Sequence, residues 1–216
     1  MNDKMKLFAG IILFGSLWGF SEVIIGSSLS GAGLPSGMIM TGIFALAFLV
    51  ISRMFYKQPG MQIGMGLVAG GLRMFNPFVG CHVCSALAIM SEGLIFELIW
   101  HKLSFDLKEL KTPTLQISMG ILSAYIVYVG GYIVTQVVTP VVAGTGFFVE
   151  NLIAFMPQIL ASGLIPALLG AVTLPIILQA KRLDLKIKDT LYYPTAIGIS
   201  IFCWAFVLGT WFLFAA

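Results

Sequence analysis

The stretch Arg73-Met-Phe-Asn-Pro-Phe-Val-Gly-Cys-His-Val-Cys84 concentrates the residue types that can do chemistry. Cys81 and Cys84 form a Cys-x-x-Cys pair with His82 between them. At a helix N-terminus such a pair suits thiol redox work, because the helix dipole and free backbone donors favour the attacking thiolate. The same side chains also read as ligands. Two sulfurs and an imidazole (Cys81, His82 and Cys84) suit a soft metal ion such as zinc or copper(I), or haem iron, with Glu22 or Glu92 adding oxygen. The order Cys-His-x-Cys differs from the c-type haem attachment, in which His follows the second cysteine. A third reading is structural: two small buried cysteines and a histidine bonded to a backbone carbonyl.

Four ionisable residues lie inside apolar runs, where a charge normally faces a cavity or a partner: Glu22, Arg73, Glu92 and Glu97. Arg73 pairing with Glu22 or Glu92 would hold the bundle together, while Glu97 is expected to reach the inner interface near His101 and Lys102. Asn76-Pro77 ends a helix, and Gly80 permits a tight approach before the next one. The helical period then puts Cys81, Ser85, Ala88 and Glu92 on one stripe with Cys84 beside it. That stripe is small and polar, so it is expected to line a cavity open to the outside. The candidate substrate-binding residues are Glu22, Arg73, Asn76, Cys81, His82, Cys84, Ser85 and Glu92.

The elements that must position these residues are set by composition. Of 216 residues 59% are hydrophobic and 10% charged, with a mean hydropathy of +1.01. A soluble domain carries about 25% charged residues, so this chain cannot cover a water-facing surface. Its solvent is lipid, where only helices and closed barrels satisfy the backbone. The apolar runs are long and unbroken rather than alternating, which points to helices. The expected fold is an all-α integral membrane protein, a single domain over residues 1–216, with about seven transmembrane helices. No stretch is polar enough for a soluble domain. The first run, Leu7 to Leu29, is longer than the h-region of a signal peptide and contains Glu22.

The spans read as Leu7 to Ser28, Gly37 to Phe55, Met61 to Phe75, Gly80 to Leu103, Leu115 to Val138, Asn151 to Gln179 and Tyr193 to Phe214. The third is short. The sixth is long, and Pro157, Pro166 and Pro175 should kink it or break it into a re-entrant piece and a span. The basic residues test the layout. Lys4 and Lys6, Arg53 and Lys57, Lys102, Lys108 and Lys111, and Lys181, Arg182, Lys186 and Lys188 all fall at one set of ends. The alternate connections have none, and only Arg73 breaks the pattern. The positive-inside rule then puts the N-terminus in the cytoplasm and the C-terminus outside. The net charge of +3 reflects this placement and not nucleic-acid binding. The expected location is the cell membrane, multi-pass.

Gly15 and Gly19 form a GxxxG pair, with Ala9, Gly10 and Ser16 nearby, a spacing that lets another helix approach closely inside the bundle or from a partner. Gly64-x-Gly66 and Gly70-Gly71 lie inside a span and read as packing. No Walker motif is present, so ATP-driven work would need partner subunits.

In build the chain resembles the substrate-binding (S) components of energy-coupling factor transporters: about 200 residues, short basic loops, a Gly/Ala-rich first helix and a Pro-containing late helix. Pro77-x-x-Gly80-x-His82, then small residues and Glu92-Gly93, is similar to the cobalt and nickel members. The resemblance spans roughly residues 1–180. It implies capture of a small cofactor-like molecule (a vitamin, a tetrapyrrole or a metal chelate) in an outward-facing cavity, without catalysis. It also implies a transmembrane coupling subunit contacted through Ala9, Gly15 and Gly19, and ATPase subunits. The vitamin-binding members have six spans, and the metal-binding members coordinate through an N-terminal Met-His where this chain has Asn2. The Cys81-x-x-Cys84 pair also resembles that of quinone-coupled disulfide-forming enzymes and vitamin K epoxide reductases, the alternative oxidoreductase reading. Those families use a second cysteine pair, and the one remaining cysteine of this chain is Cys203.

Overall fold

The computed structural model describes residues 3–78, 81–102, 107, 110–142, 144, 149–180 and 189–215. Gly80, Lys108, Lys181, Arg182, Lys186 and Lys188 lie outside them. Among the described residues every regular element is helical. The chain runs through α1 (Asp3–Gly31), α2 (Ser36–Ile39), a π-helical turn (Met40–Ala45), α3 (Leu46–Phe55), α4 (Met61–Arg73), α5 (His82–Lys102), α6 (Pro113–Val142), α7 (Val149–Ser162), α8 (Leu164–Ala180) and α9 (Asp189–Ala215). The protein is an all-α membrane bundle. Six stretches among the described residues are long and apolar enough to cross a bilayer: Lys4–Gly31, Ser36–Phe55, His82–His101, Pro113–Val142, Val149–Ala180 and Tyr192–Phe214.

The third expected segment, α4, has 13 residues and rises about 20 Å, short of the roughly 30 Å hydrocarbon core. It packs between α1 and α5, with Met65, Ala69 and Leu72 fully buried. Its two ends are tied to its neighbours. At one end the Gly60, Gln62 and Ile63 N–H groups donate to the Glu97 carboxylate of α5, the last two at 3.1 and 3.0 Å. At the other end the Asn76 amide donates to Ser27 Oγ of α1 at 2.9 Å. Gly60 supplies the left-handed backbone that turns the chain into α4, with φ of +90°. Glu97 therefore corrects the expectation of an interfacial side chain near His101. It is buried and caps α4, where the free N–H groups and the positive dipole end attract a carboxylate.

Neighbour contacts fix the direction of each helix. Gly15 meets Met65 and Val68 while Gly19 meets Ala69 and Leu72, so α1 and α4 run parallel. Gly66 and Gly70 lie against Met90 and Ala86, so α5 runs back. Trp100 Nε1 donates to Ser123 Oγ at 3.1 Å and Gly131 packs on Ala88 and Glu92, so α6 reverses again. Gly120 touches Gly170 and Leu174, so α8 returns. Trp204 Nε1 of α9 donates to Ser16 Oγ at 3.1 Å, and the Tyr56 and Tyr192 hydroxyls are hydrogen-bonded near the start of α9. Lys4, Lys6, Arg53, Lys57 and Lys111 thus gather at one end of the bundle and Arg73 at the other, as the charge pattern requires.

The long sixth segment is one path interrupted at Gly163, with α7 and α8 on either side. Pro166 has no N–H to give the carbonyl one turn back, and a Cβ at Gly163 would lie 2.6 Å from Val129 and 2.8 Å from the Tyr125 ring. Its other prolines, Pro157 and Pro175, lie inside α7 and α8.

Candidate functional site

A cavity of about 190 Å³ opens between α1, α2, the π-helical turn, α4 and α5, toward the end opposite the lysines. Its walls are Glu22, Gly26, Ser36, Gly37, Met40, Thr41, Arg73, Ser85, Ala88, Ile89 and Glu92. Glu22, Arg73 and Glu92 are each buried, exposed by 7%, 7% and 5%.

Each charged wall is positioned by its helix. Glu22 lies one turn after Trp18, whose Nε1 donates to Glu22 Oε1 at 3.3 Å. Arg73 ends α4 and donates from Nη1 to the Glu22 backbone carbonyl at 2.6 Å, so its charge also acts on the Glu22 carboxylate. Gly26 leaves room for both: a Cβ there would lie 3.6 Å from Glu22 Oε2 and 3.9 Å from Arg73 Nη1. On α5, Glu92 accepts from Thr41 Oγ1 at 2.6 Å through Oε1. Its Oε2 is buried with no hydrogen-bond partner, and it feels the like charge of Glu22. Thr41 stands in the π-helical turn, next to Gly42, whose carbonyl accepts from Thr173 Oγ1 of α8 at 3.0 Å. Such turns displace side chains from the regular helical register, and this one presents Met40 and Thr41 to the cavity.

Of the expected site residues, Glu22, Arg73, Ser85 and Glu92 line the cavity; Asn76, Cys81, His82 and Cys84 do not. Asn76 is buried and serves its own turn, with Nδ2 on Ser27 and Oδ1 accepting from the Phe78 N–H at 2.9 Å. Cys81 and Cys84 are joined in a disulfide. Cys81 caps α5: its Sγ accepts the Cys84 N–H at 3.3 Å and its carbonyl accepts the Ser85 N–H at 3.2 Å. In this state neither sulfur is a thiolate ligand, which leaves His82, with Nδ1 buried and unbonded, as the single donor of the expected soft-metal or haem set. Among the described residues no three His, Cys, Asp or Glu side chains converge on a point that could hold a metal ion. Cys203 is buried and free in α9.

The expected partner contacts also change. Cβ atoms at Gly15 and Gly19 would lie 2.7 Å from Val68 Cβ and 2.8 Å from Leu72 Cβ. The GxxxG face is therefore filled by α4 and is closed to another subunit. Ala9 is half-buried. Thr41, Ser36 and Met40 are the site residues that sequence reasoning missed. Their one signal is proximity to the lysine-free 29–36 connection.

Comparison with protein-family models, with curated proteins and with solved structures finds no match.

Proposed function

We propose that the protein is a substrate-capture subunit of a membrane uptake system, taking a small cofactor-like molecule from the non-cytoplasmic side into the Glu22–Arg73–Glu92 cavity. The observation that carries this reading is Glu92, a wall residue of the open cavity whose Oε2 is buried and unbonded. Buried polar atoms are nearly always bonded, and an exception calls for a missing partner. The volume is more than ten times the roughly 10–15 Å³ that admits one water, yet below the roughly 300 Å³ where drug-sized sites begin. It favours a compact molecule over a tetrapyrrole. The reading also draws on the resemblance to energy-coupling factor S components, and with it a transmembrane coupling subunit and ATPases. With Gly15 and Gly19 covered by α4, such a partner would dock elsewhere. Gentle purification of the tagged protein from its own membranes tests this. The reading expects ATPase subunits in the eluate and a small molecule released on denaturation; an eluate with neither refutes it.

A second reading, a thiol-disulfide oxidoreductase, is favoured by the Cys81–Cys84 disulfide alone. In that case two electrons from a substrate dithiol would reduce it to two thiols, and a quinone would reoxidise them. Thiol labelling that never changes with dithiol or quinone would end that reading.

A further inference from the structure

The acids and bases of the cavity are unequal in number. Two acidic side chains, Glu22 and Glu92, face one guanidinium. Arg73 is engaged with Glu22, through its carbonyl at 2.6 Å and through its charge on the carboxylate. Among the described residues Glu92 has only the neutral Thr41 hydroxyl on Oε1, and nothing on Oε2. A buried carboxylate left this way is costly and is neutralised, by a proton or by a cation of its own. No third His, Cys, Asp or Glu joins these two acids among the described residues, so the donor set of a transition-metal site is incomplete. An ammonium group asks less. It offers three N–H donors, and the cavity wall holds acceptors of that kind in Glu92, Glu22 and Thr41.

We infer that the captured molecule is a small organic amine, bound as its ammonium ion against Glu92 with Glu22 beside it. An acceptor oxygen elsewhere on the molecule faces Arg73, which has five N–H donors and spends one on the Glu22 carbonyl. The inference rests on the capture reading above and names its substrate class.

The test uses the full chain purified in detergent and three probes at neutral pH: 4-aminobutyrate, butylamine and butyrate. Binding is read by thermal shift and native mass spectrometry. The expected order is 4-aminobutyrate over butylamine, with butyrate not binding. Glu92→Gln keeps the side-chain volume and an acceptor for Thr41, so it folds. It should weaken amine binding roughly tenfold or more, the value of a lost charge-assisted hydrogen bond. Butyrate binding as well as butylamine, or unchanged amine affinity in Glu92→Gln, overturns the assignment. So does stabilisation of the probe-free protein by sodium chloride over choline chloride that Glu92→Gln abolishes, which would make a bare cation the occupant. A released native molecule lacking a basic nitrogen defeats the amine assignment and leaves capture standing. If nothing is released and no probe binds, capture itself fails. Silent probes with a released molecule that carries a basic nitrogen support the assignment, the probes then being too small or misshapen.

Discussion

Glu97→Ala is the perturbation whose cost can be worked most directly from the structure. Glu97 accepts from three backbone N–H groups at the start of α4: Gly60, Gln62 and Ile63. Gly60 is half-exposed near the lysine-bearing end, so its N–H can turn to water after the substitution. Gln62 is fully buried and Ile63 half-buried, and their N–H groups lose their acceptor. A buried donor left unmet costs roughly 1–3 kcal/mol, and the lost charge at the helix N-terminus adds about 0.3–1 kcal/mol. Removal of a buried carboxylate returns part of this through relieved desolvation. The middle of those ranges gives about 4–5 kcal/mol for the two donors and the dipole together, and the relieved desolvation brings the net loss for Glu97→Ala to about 3 kcal/mol. Glu97→Gln keeps one acceptor oxygen and should lose about half as much. For a chain of this size 1 kcal/mol moves the midpoint by roughly 2–4 °C, so thermal unfolding in detergent should fall by about 6–12 °C for alanine and about half that for glutamine. Equal midpoints for wild type and Glu97→Ala would refute the cap, and so would a glutamine variant no better than alanine.

Gly19→Leu should destabilise the isolated protein by about 1–3 kcal/mol or more, because the Cβ position lies 2.8 Å from Leu72 Cβ. A stable Gly19→Leu protein that loses only a partner subunit on size-exclusion chromatography would return that face to the partner. Thr173→Val should lower stability by about 1 kcal/mol through the lost hydrogen bond to the Gly42 carbonyl, read as a lower melting midpoint; an unchanged midpoint would show that the π-helical turn needs no support from α8. Cys81→Ser with Cys84→Ser should leave ligand affinity within about twofold, since neither residue lines the cavity; a larger loss in equilibrium binding would bring the pair into the site. Without reductant and without unfolding, a thiol reagent should label none of the three cysteines, because two are joined and Cys203 is buried.

The helices were legible because lipid demands long apolar runs, and six of the seven expected segments are long enough to span. α4 was the weak one for the same reason: it is sheltered between α1 and α5, so it can be short and carry Arg73. Glu22, Arg73 and Glu92 stood out since a charge in hydrocarbon is rare and needs a reason. Thr41 did not, because hydroxyls are common in spans and its aim depends on a local π-helical turn that leaves no mark on hydropathy. Residue type alone puts Asn76 and the Cys81–Cys84 pair in the site, but Asn76 bonds to Ser27 of α1 and to its own turn, and Cys81 to a helix start. The GxxxG spacing of Gly15 and Gly19 says that a helix comes close, and cannot say which; α4 fills that place. Glu97 was placed at the right depth, and its role as a cap depended on a chain reversal at Gly60 that sequence spacing does not display.

If, as proposed, Glu92 completes a site for a captured small molecule, native mass spectrometry of wild type and Glu92→Gln, each purified gently from the same membranes, separates the two proteins. A bound small molecule is expected on the wild type, with its loss or strong depletion on the variant. Bare protein in both samples, or the same occupancy in both, would contradict it.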